Sequence, residues 1–274
     1  MVLLKSKKPK KPNKRNYADP LGPRYADLTI CKSSPADVKA LKVVSYNIKY
    51  SKKISSAIKL FKAHHELREA QVLCLQEMTG EAVEIIAQAL GYNYVYYPAV
   101  FHSVLKKDFG NAILSRLPII ADEKVILPHL DPSHTQRTVV NAAVEFNNKR
   151  VIISNVHFKV LINPKFRSDQ VQYLLRSMPK NESHFVIAGD FNTFTKANSK
   201  AILEPLIEAD YLPATDGIGW SHKHWTLMNK KSQLDHIFIK GLALEKTGKV
   251  IDRKSSDHIP IWVDVAFSAL ENKT

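Results

Sequence analysis

The chain has 274 residues and a net charge of +14, with 40 lysines and arginines against 26 aspartates and glutamates. Its hydrophobic content of 45% is enough for a packed core, and no apolar run approaches the roughly 18 residues that a membrane-spanning helix needs. Two cysteines argue against a disulfide framework, and an N-terminus that turns basic after four residues argues against a secretory signal, so we expect an intracellular protein.

The positive charge is concentrated at the N-terminus. Residues 1–16 contain seven lysines and arginines and no acidic residue. With so little to bury, residues 1–40 are predicted to form a basic, largely disordered or extended segment, ahead of one domain over 41–267 and a tail over 268–274. Such a segment can follow the phosphates of a nucleic acid, bind an anionic membrane, act as a nuclear address or simply aid solubility.

Short polar sequences follow apolar, strand-like runs at five places along the chain. They are Ser45-Tyr46-Asn47, Gln76-Glu77, Asn155-Val156-His157, Gly189-Asp190-Phe191-Asn192 and Ser255-Ser256-Asp257-His258. The runs before the first four are short and almost entirely apolar, as in strands that are covered on both faces. Because strand ends of α/β folds meet at a shared crevice, we expect these polar side chains to lie together.

Helical periodicity occupies the stretches between several of these runs. The apolar positions have helical spacing over 54–67, over 83–90, over 166–175 and over 202–207. Gly91 directly after the second stretch predicts a helix end there. Strand-like segments follow one another from about 93 to 157 without a helix between them. This pattern predicts a mixed α/β domain and not a simple alternation of strands and helices.

The residue types at the strand ends suit metal-assisted attack on a phosphate ester. Glu77 and Asp257 are natural carboxylate ligands for a divalent cation, and Asn47 is a plausible amide ligand. Asp190 could accept a proton from an attacking water. Asn192 stands two residues further on, and in an extended segment it would face the same side and hold that water or a phosphate oxygen.

Histidines provide the remaining chemistry. His258 could stabilise phosphoryl oxygens or move a proton, with Asp235 as its orienting carboxylate, and His157 is a second imidazole that could bind phosphate or protonate the leaving oxygen. His236 would point away from Asp235 and is interpreted as structural. The other histidines lack the spacing of metal ligands and are interpreted as surface or loop residues; they include His102, which could line the crevice, His222 and His224.

Basic residues near these segments would place positive charge beside the crevice. They are Lys49, Lys52, Lys53, Lys106, Lys107, Arg116, Arg137, Lys159, Lys165 and Arg167. A positive crevice suits a polyanionic substrate.

Seven motifs occur in an order that is typical of one superfamily. They are Tyr46-Asn47, Leu75-Gln76-Glu77, Gly110-Asn111-Ala112-Ile113-Leu114-Ser115-Arg116, Asn155-Val156-His157, Gly189-Asp190-Phe191-Asn192, Leu234-Asp235-His236-Ile237-Phe238 and Ser256-Asp257-His258. Over residues 41–267 the chain resembles the endonuclease/exonuclease/phosphatase superfamily, which includes DNase I, sphingomyelinases, inositol polyphosphate 5-phosphatases and deadenylases. The resemblance implies a four-layer α/β/β/α sandwich, with two central mixed sheets flanked by helices, and phosphoester hydrolysis that depends on Mg²⁺ or Mn²⁺.

The resemblance also assigns roles to the candidate residues. It implies metal ligands at Asn47, Glu77 and Asp257, nucleophile handling by Asp190 and Asn192, and an Asp235–His258 pair with His157 as second histidine. Arg137 resembles the position from which DNase-like members contact a phosphate, and Asn111 and Lys49 complete the predicted substrate-binding residues.

Departures from particular branches narrow the function. Abasic-site endonucleases usually have a tyrosine segment where this chain has Asn155-Val156-His157, and an acid where it has Lys49. The Pro-x-Trp-Cys-Asp-Arg signature of inositol 5-phosphatases is absent. The hypothesis is a monomeric, Mg²⁺-dependent phosphodiesterase that cleaves nucleic acid, with DNA favoured. The alternatives are a phosphatase or phosphodiesterase for a phosphorylated lipid or small molecule, and a non-catalytic nucleic-acid-binding module.

Overall fold

The computed structural model of the protein describes residues 15–32, 38–129, 135–160, 163–224, 230–252 and 254–268. The basic segment up to Lys14 and the C-terminal residues 269–274, both singled out in the sequence, lie outside the described residues.

Fifteen strands and five helices make up the described fold. In chain order the strands are β1 (Tyr25–Asp27), β2 (Leu41–Asn47), β3 (Val72–Met78), β4 (Asn93–His102), β5 (Lys107–Ser115), β6 (Ile119–Ile126), β7 (Thr138–Phe146), β8 (Lys149–His157), β9 (Phe185–Asp190), β10 (Leu212–Pro213), β11 (His222–Lys223), β12 (Lys231–Ser232), β13 (Asp235–Lys240), β14 (Ala243–Lys249) and β15 (Ile261–Ala266). The helices are α1 (Ile54–Ala63), α2 (His65–Arg68), α3 (Gly80–Leu90), α4 (Pro164–Ser177) and α5 (Lys196–Glu208).

Two large mixed sheets form the centre of the molecule. The seven-stranded sheet has the order β1-β4-β5-β3-β2-β15-β14, and the six-stranded sheet has the order β10-β13-β9-β8-β7-β6. One pair of neighbours in each sheet is parallel, β2 with β3 and β8 with β9. β11 and β12 form a separate two-stranded pair.

The sheets and helices pack as four layers. Between the two sheets lies one apolar layer, in which Val43, Cys74 and Ile113 of the seven-stranded sheet meet Val144 and Val186 of the six-stranded sheet, all fully buried. A second apolar cluster lies between the seven-stranded sheet and α1 and α3, and a third between the six-stranded sheet and α4 and α5. Each fully buried aliphatic side chain contributes about 1.5–3 kcal/mol relative to exposure. The predicted α/β/β/α sandwich is confirmed.

Two buried amide side chains, Gln76 and Asn155, join the two sheets behind their polar strand ends, and we call this pair the clasp. The Gln76 side chain of β3 donates to Oδ1 of Asn155 in β8 over 2.7 Å. Asn155 Nδ2 in turn donates to the carbonyls of Leu75 and Ala112, at 2.9 and 2.8 Å. Buried amides need such partners, because an unpaired one costs about 1–3 kcal/mol. The clasp therefore fixes how the two sheets meet, and Gln76 and Asn155 serve the framework.

The helices follow the apolar periodicity with one interruption. The pattern over 54–67 gives two helices, because the backbone of His64 is extended and separates α1 from α2. α3 ends at Gly91, which has φ +73°, a conformation that glycine adopts without steric cost. None of the helices in the described ranges is long and apolar enough to cross a membrane.

The described part of the N-terminal segment lies against the domain. β1 pairs with β4 at the edge of the seven-stranded sheet. Arg24 Nε lies 2.6 Å from Oδ1 of Asp122, and the hydroxyls of Tyr17 and Tyr25 both donate to Asp108. The predicted character of residues 1–40 and the domain boundaries at 41 and 267 stay predictions.

Candidate active site

Strand register brings three of the predicted catalytic residues together. In the six-stranded sheet Asp190 lies opposite His157 of β8 and opposite Asp235 of β13. Residues in register on neighbouring strands share one face of a sheet, so these three side chains reach the same edge. Gly189 has φ +153°, and a Cβ there would collide with the carbonyl oxygen of Val156. Only glycine fits this approach of β9 to β8.

Asp190 is the centre of the site. Its Oδ2 accepts from Nδ2 of Asn47 at 3.0 Å, and its Oδ1 accepts from the backbone N–H of Asn192 at 2.9 Å. Nε2 of His157 and Nε2 of His258 lie 3.5 and 3.8 Å from Oδ2. Burial raises the pKa of Asp190 to about 7, although the charge of His258 opposes it. A carboxylate with that pKa can accept a proton at neutral pH.

His258 is held by a carboxylate on its other side. Its Nδ1 lies 2.8 Å from Oδ2 of Asp235, and Ser221 Oγ donates to the same oxygen at 2.7 Å. Burial by itself lowers the pKa of His258, but the carboxylates of Asp235 and Asp190 outweigh it and raise that pKa to about 10. His258 is therefore a cation at neutral pH, with Nε2 directed towards Asp190.

Asn192 departs from the expected extended conformation. Its φ is +52°, and its Nδ2 donates to the carbonyl of Phe158 at 2.9 Å. The chain turns here because Phe191 packs behind the site against Phe158 and Phe238, with ring centroids 5.4 and 5.6 Å apart. Asn192 stays beside Asp190 through its backbone N–H, and its Oδ1 remains as the side-chain acceptor.

Arg137, Asn111 and His157 line one small cavity next to Asp190. The cavity has a volume of about 10 Å³ and also contacts Phe109. Arg137 Nε is buried without a hydrogen-bond partner, whereas Asn111 Nδ2 donates to the carbonyl of Thr138 at 3.1 Å. A guanidinium with an unpaired donor suits an anionic oxygen. The phosphate contact of Arg137 stays a prediction.

His157 is the neutral imidazole of the site. It is 4% exposed, and its pKa is held well below the usual range by burial first and then by the positive charges of Arg137 and His258. The two predicted histidines thus have opposite protonation states at neutral pH. No carboxylate other than Asp190 lies within 4.0 Å of the His157 ring nitrogens among the described residues.

A strained turn is hydrogen-bonded to Asn47 and Glu77, the metal-ligand candidates of the seven-stranded sheet. Lys49, Tyr50 and Ser51 form a 3-10 turn with φ values of +27°, +56° and +54°. Asn47 Oδ1 accepts the N–H of Lys49 at 3.0 Å, and Glu77 Oε2 accepts the N–H of Tyr50 at 2.9 Å. Each left-handed non-glycine residue costs about 1–3 kcal/mol, so strain of this kind persists where surrounding contacts enforce it.

Asp257 also contacts this turn, through the side chain of Lys49. Lys49 Nζ is 2.6 Å from Oδ2 of Asp257, and His222 Nε2 is 3.9 Å from the same oxygen. Burial alone would raise the pKa of Asp257, but His222 and Lys49 hold it well below its usual range. Asp257 is therefore ionised and already accompanied by a cation.

The prediction that His222 is a surface or loop residue is wrong. It is 8% exposed, and its ring centroid lies 4.5 Å from that of His258 and 4.3 Å from that of His224. β11 places it there through a bridge between His222 and His258. A strand of two residues has no periodicity, so the sequence carried no signal for this position.

The donor types suit a hard divalent cation. Glu77 and Asp257 offer carboxylates, Asn47 offers an amide, and each of the three contacts the turn at residues 49–51. Among the described residues, two groups of three acidic or imidazole side chains lie within 4.8 Å of one another, and Glu77 belongs to neither. They are His222, Asp257 and His258, and Asp190, Asp235 and His258.

Two basic residues expected beside the crevice lie elsewhere. The prediction that Arg116 lies beside the crevice is wrong. Its Nη1 donates to the carbonyl of Arg68 at 2.8 Å, and its guanidinium covers the ring of Tyr92. Arg167 is fully buried beneath the site, where its Nη1 donates to the carbonyl of Phe191 at 3.0 Å. It supports the backbone between Asp190 and Asn192.

Comparisons with known proteins agree with this architecture. The model of the Endonuclease/Exonuclease/phosphatase family matches residues 44–258. A UPF0294 protein of Vibrio parahaemolyticus is 27% identical over 123 residues, which are 44% of this chain and 42% of that protein. The chain thus spans less than half the length of the curated relatives it matches.

Solved structures share the fold at low sequence identity. A family protein from Leptotrichia buccalis has a TM-score of 0.67 with 17% identity, covering 83% of this chain and all of that one. D. rerio TDP2 in complex with a single-strand DNA product has a TM-score of 0.66 with 15% identity, covering 83% and 99%. A mannosyl-6-phosphatase of Bacteroides thetaiotaomicron has a TM-score of 0.62 with 18% identity, covering 83% and 100%.

Proposed function

Because the chain belongs to the endonuclease/exonuclease/phosphatase family, whose members generally hydrolyse phosphoester bonds, we propose that it hydrolyses the phosphodiester bonds of nucleic acid, with DNA the favoured substrate. The reaction is attack of water in line with the leaving oxygen and depends on a divalent cation, Mg²⁺ or Mn²⁺.

One observation carries the proposal. The carboxylate of Asp190 lies between two imidazoles of opposite protonation state, and one of these, His258, is held by Asp235. A proton acceptor beside a fixed cation is what hydrolysis of a phosphate ester needs. A binding module that only kept the fold would have no need for this buried and costly set of charges.

Each residue then has a definite task. Asp190 takes the proton of the attacking water, and Asn192 Oδ1 orients that water. His258 donates from Nε2 to the phosphoryl oxygens as negative charge grows on them, and Arg137 binds the phosphate through its free Nε–H. Neutral His157 can donate a hydrogen bond from one ring N–H to the leaving oxygen, which takes its proton from solvent. A divalent cation on Glu77, Asp257 and Asn47 would supply additional stabilisation of that negative charge.

The charge of the chain supports a polyanionic substrate. The net charge is +14, and Lys49, Lys52 and Lys53 follow the site residue Asn47 directly. The similarity in fold to TDP2, solved with a single-strand DNA product, is compatible with nucleic acid, as the similarity to a mannosyl-6-phosphatase is compatible with a small phosphomonoester. We place nucleic acid first because a small substrate needs no extended positive surface.

A substrate panel tests the proposal. Plasmid DNA, single-stranded DNA, RNA, abasic DNA and inositol phosphates are incubated with the protein in Mg²⁺ and, separately, in EDTA. We expect cleavage of nucleic acid in Mg²⁺, loss of cleavage in EDTA, and loss of cleavage in Asp190→Ala. Asp210→Ala is the matched control, since the Asp210 side chain is 88% exposed and pairs only with Lys240 among the described residues. Activity confined to inositol phosphates would overturn the nuclease assignment.

A further inference from the structure

Three aromatic rings pack together beside the metal-ligand candidates. Tyr50 is stacked on Phe109, with centroids 5.6 Å apart and an interplanar angle of 26°, and the His102 ring lies 5.6 Å from Tyr50 and 5.2 Å from Phe109. We call Tyr50, His102 and Phe109 the aromatic shelf. Phe109 is buried, yet none of the three belongs to the apolar layers that hold the fold together. The shelf therefore serves something other than the core.

The shelf adjoins both Glu77 and the cavity beside Arg137. Tyr50 donates its backbone N–H to Glu77, and Phe109 lines the cavity that also contacts Arg137 and His157. A group that rests on the shelf is therefore next to any phosphate held by Arg137.

The conformation and exposure of Tyr50 indicate that its ring contacts a ligand and does not serve core packing. Tyr50 is 37% exposed although its backbone is left-handed, and a left-handed residue costs about 1–3 kcal/mol that an exposed tyrosine does not recover by burial. Lys52 Nζ lies 5.1 Å from the centroid of the same ring. The ammonium lies over the ring, so a base that stacks on Tyr50 takes the place of Lys52, which is then free to pair with the adjoining phosphate of single-stranded nucleic acid.

We propose that the aromatic shelf stacks the base of the nucleotide adjoining the scissile phosphate, so that Tyr50 makes a base-bearing substrate better than a base-free one. The proposal rests on the proposed function and deepens it. Stacking reads the planar face that all bases share, so the shelf discriminates the presence of a base and not its identity.

Cleavage of paired substrates tests the shelf. A short single-stranded oligonucleotide is compared with the same backbone carrying tetrahydrofuran spacers in place of every base. We expect wild type to cleave the base-bearing strand faster by about 5- to 150-fold, the range that stacking of one base gives. Tyr50→Leu should remove that preference, because cleavage of the base-bearing strand falls more than cleavage of the spacer strand, while Tyr50→Phe keeps the preference. Tyr173→Leu is the matched control, because Tyr173 is 40% exposed on α4. Equal losses on both substrates in Tyr50→Leu would overturn the proposal.

A binding measurement separates this proposal from the proposed function. The probe is a spacer strand with a single 2-aminopurine, whose fluorescence falls when it stacks on an aromatic ring. We expect quenching with wild type and not with Tyr50→Leu, whether or not the strand is cut. If no nucleic acid is cleaved but the fluorescence is still quenched, the proposed nuclease activity is overturned and the stacking proposal stands. Cleavage without quenching would overturn the shelf alone. His102→Ala, which should reduce quenching, serves if Tyr50→Leu does not fold.

Discussion

The two halves of the candidate site are built differently. One half, which we call the buried half, consists of Asp190, Asp235, His157 and His258. These side chains are at most 6% exposed and form a connected cluster around Asp190 and His258. In the half that we call open, Lys49, Tyr50, Glu77 and Asp257 are partly exposed and are organised by a strained turn. Asp257 and His258 are neighbours in sequence and belong to different halves.

The difference separates two tasks. Proton transfer needs shifted pKa values, and these require burial and close charges. Binding a cation and a large substrate needs access from solvent and oxygens that can rearrange. Variants of the two halves should therefore change different measured quantities.

The largest effect should come from the centre of the buried half. Asp190→Asn removes the proton acceptor and should lower kcat by about 10²–10⁴-fold, the usual contribution of a general base. The affinity for Mn²⁺, followed by titration calorimetry, should change little. Asp210→Asn should leave both quantities as in wild type. A loss of Mn²⁺ affinity as large as the loss of kcat would contradict the division into halves.

The next largest effect concerns stability at alkaline pH. His258 has a pKa of about 10 in the folded chain and an ordinary value of 6.5, so the unfolded chain loses this proton first. The stability that it provides is complete below pH 6.5 and is lost as the pH rises through 10; the loss is on the order of 2–5 kcal/mol. Chemical denaturation in EDTA at pH 7, 8.5 and 10 measures it. His258→Gln should have a flatter profile than wild type, and parallel profiles would contradict the assignment.

A smaller effect is expected from the open half. Glu77→Gln removes one carboxylate and should weaken Mn²⁺ binding by at least about tenfold, since ligand charge sets affinity at such sites. At saturating Mn²⁺ most of kcat should return. Glu81→Gln is the matched control, because the Glu81 side chain is 64% exposed and pairs with Lys107. Unchanged Mn²⁺ affinity in Glu77→Gln would place the cation elsewhere.

The smallest expected effect is a gain in Mn²⁺ affinity, whereas the other variants lose activity, stability or affinity. Lys49 forms an ion pair with Asp257 that competes with a cation for the same oxygen. Lys49→Met should therefore tighten Mn²⁺ binding by about two- to fivefold, the range expected for a partly exposed ion pair. Lys53→Met is the control, since its Nζ donates to the carbonyl of Lys254. Weaker Mn²⁺ binding in Lys49→Met would show that the ammonium supports the site.

The parts of the site that depend on strand geometry could be predicted from the sequence. His157, Asp190 and Asp235 end or begin buried strands, so apolar runs followed by polar residues were enough to bring them to one edge. The turn at Asn192 depends on how Phe191 packs, and no local pattern encodes it. His222 and Arg167 reach their places only through long-range contacts, with His258 and with the carbonyl of Phe191. Charge alone cannot tell such a buried arginine from an exposed one.

Under the proposed function, the turn at residues 49–51 couples two binding events. The oxygens that anchor this turn, Asn47 Oδ1 and Glu77 Oε2, belong to two of the proposed metal ligands. An ion that draws on them loosens the anchor of Tyr50, and a ring resting on Tyr50 acts back on the anchor. Thermodynamic reciprocity then requires that nucleotide and ion alter one another's dissociation constants by the same factor.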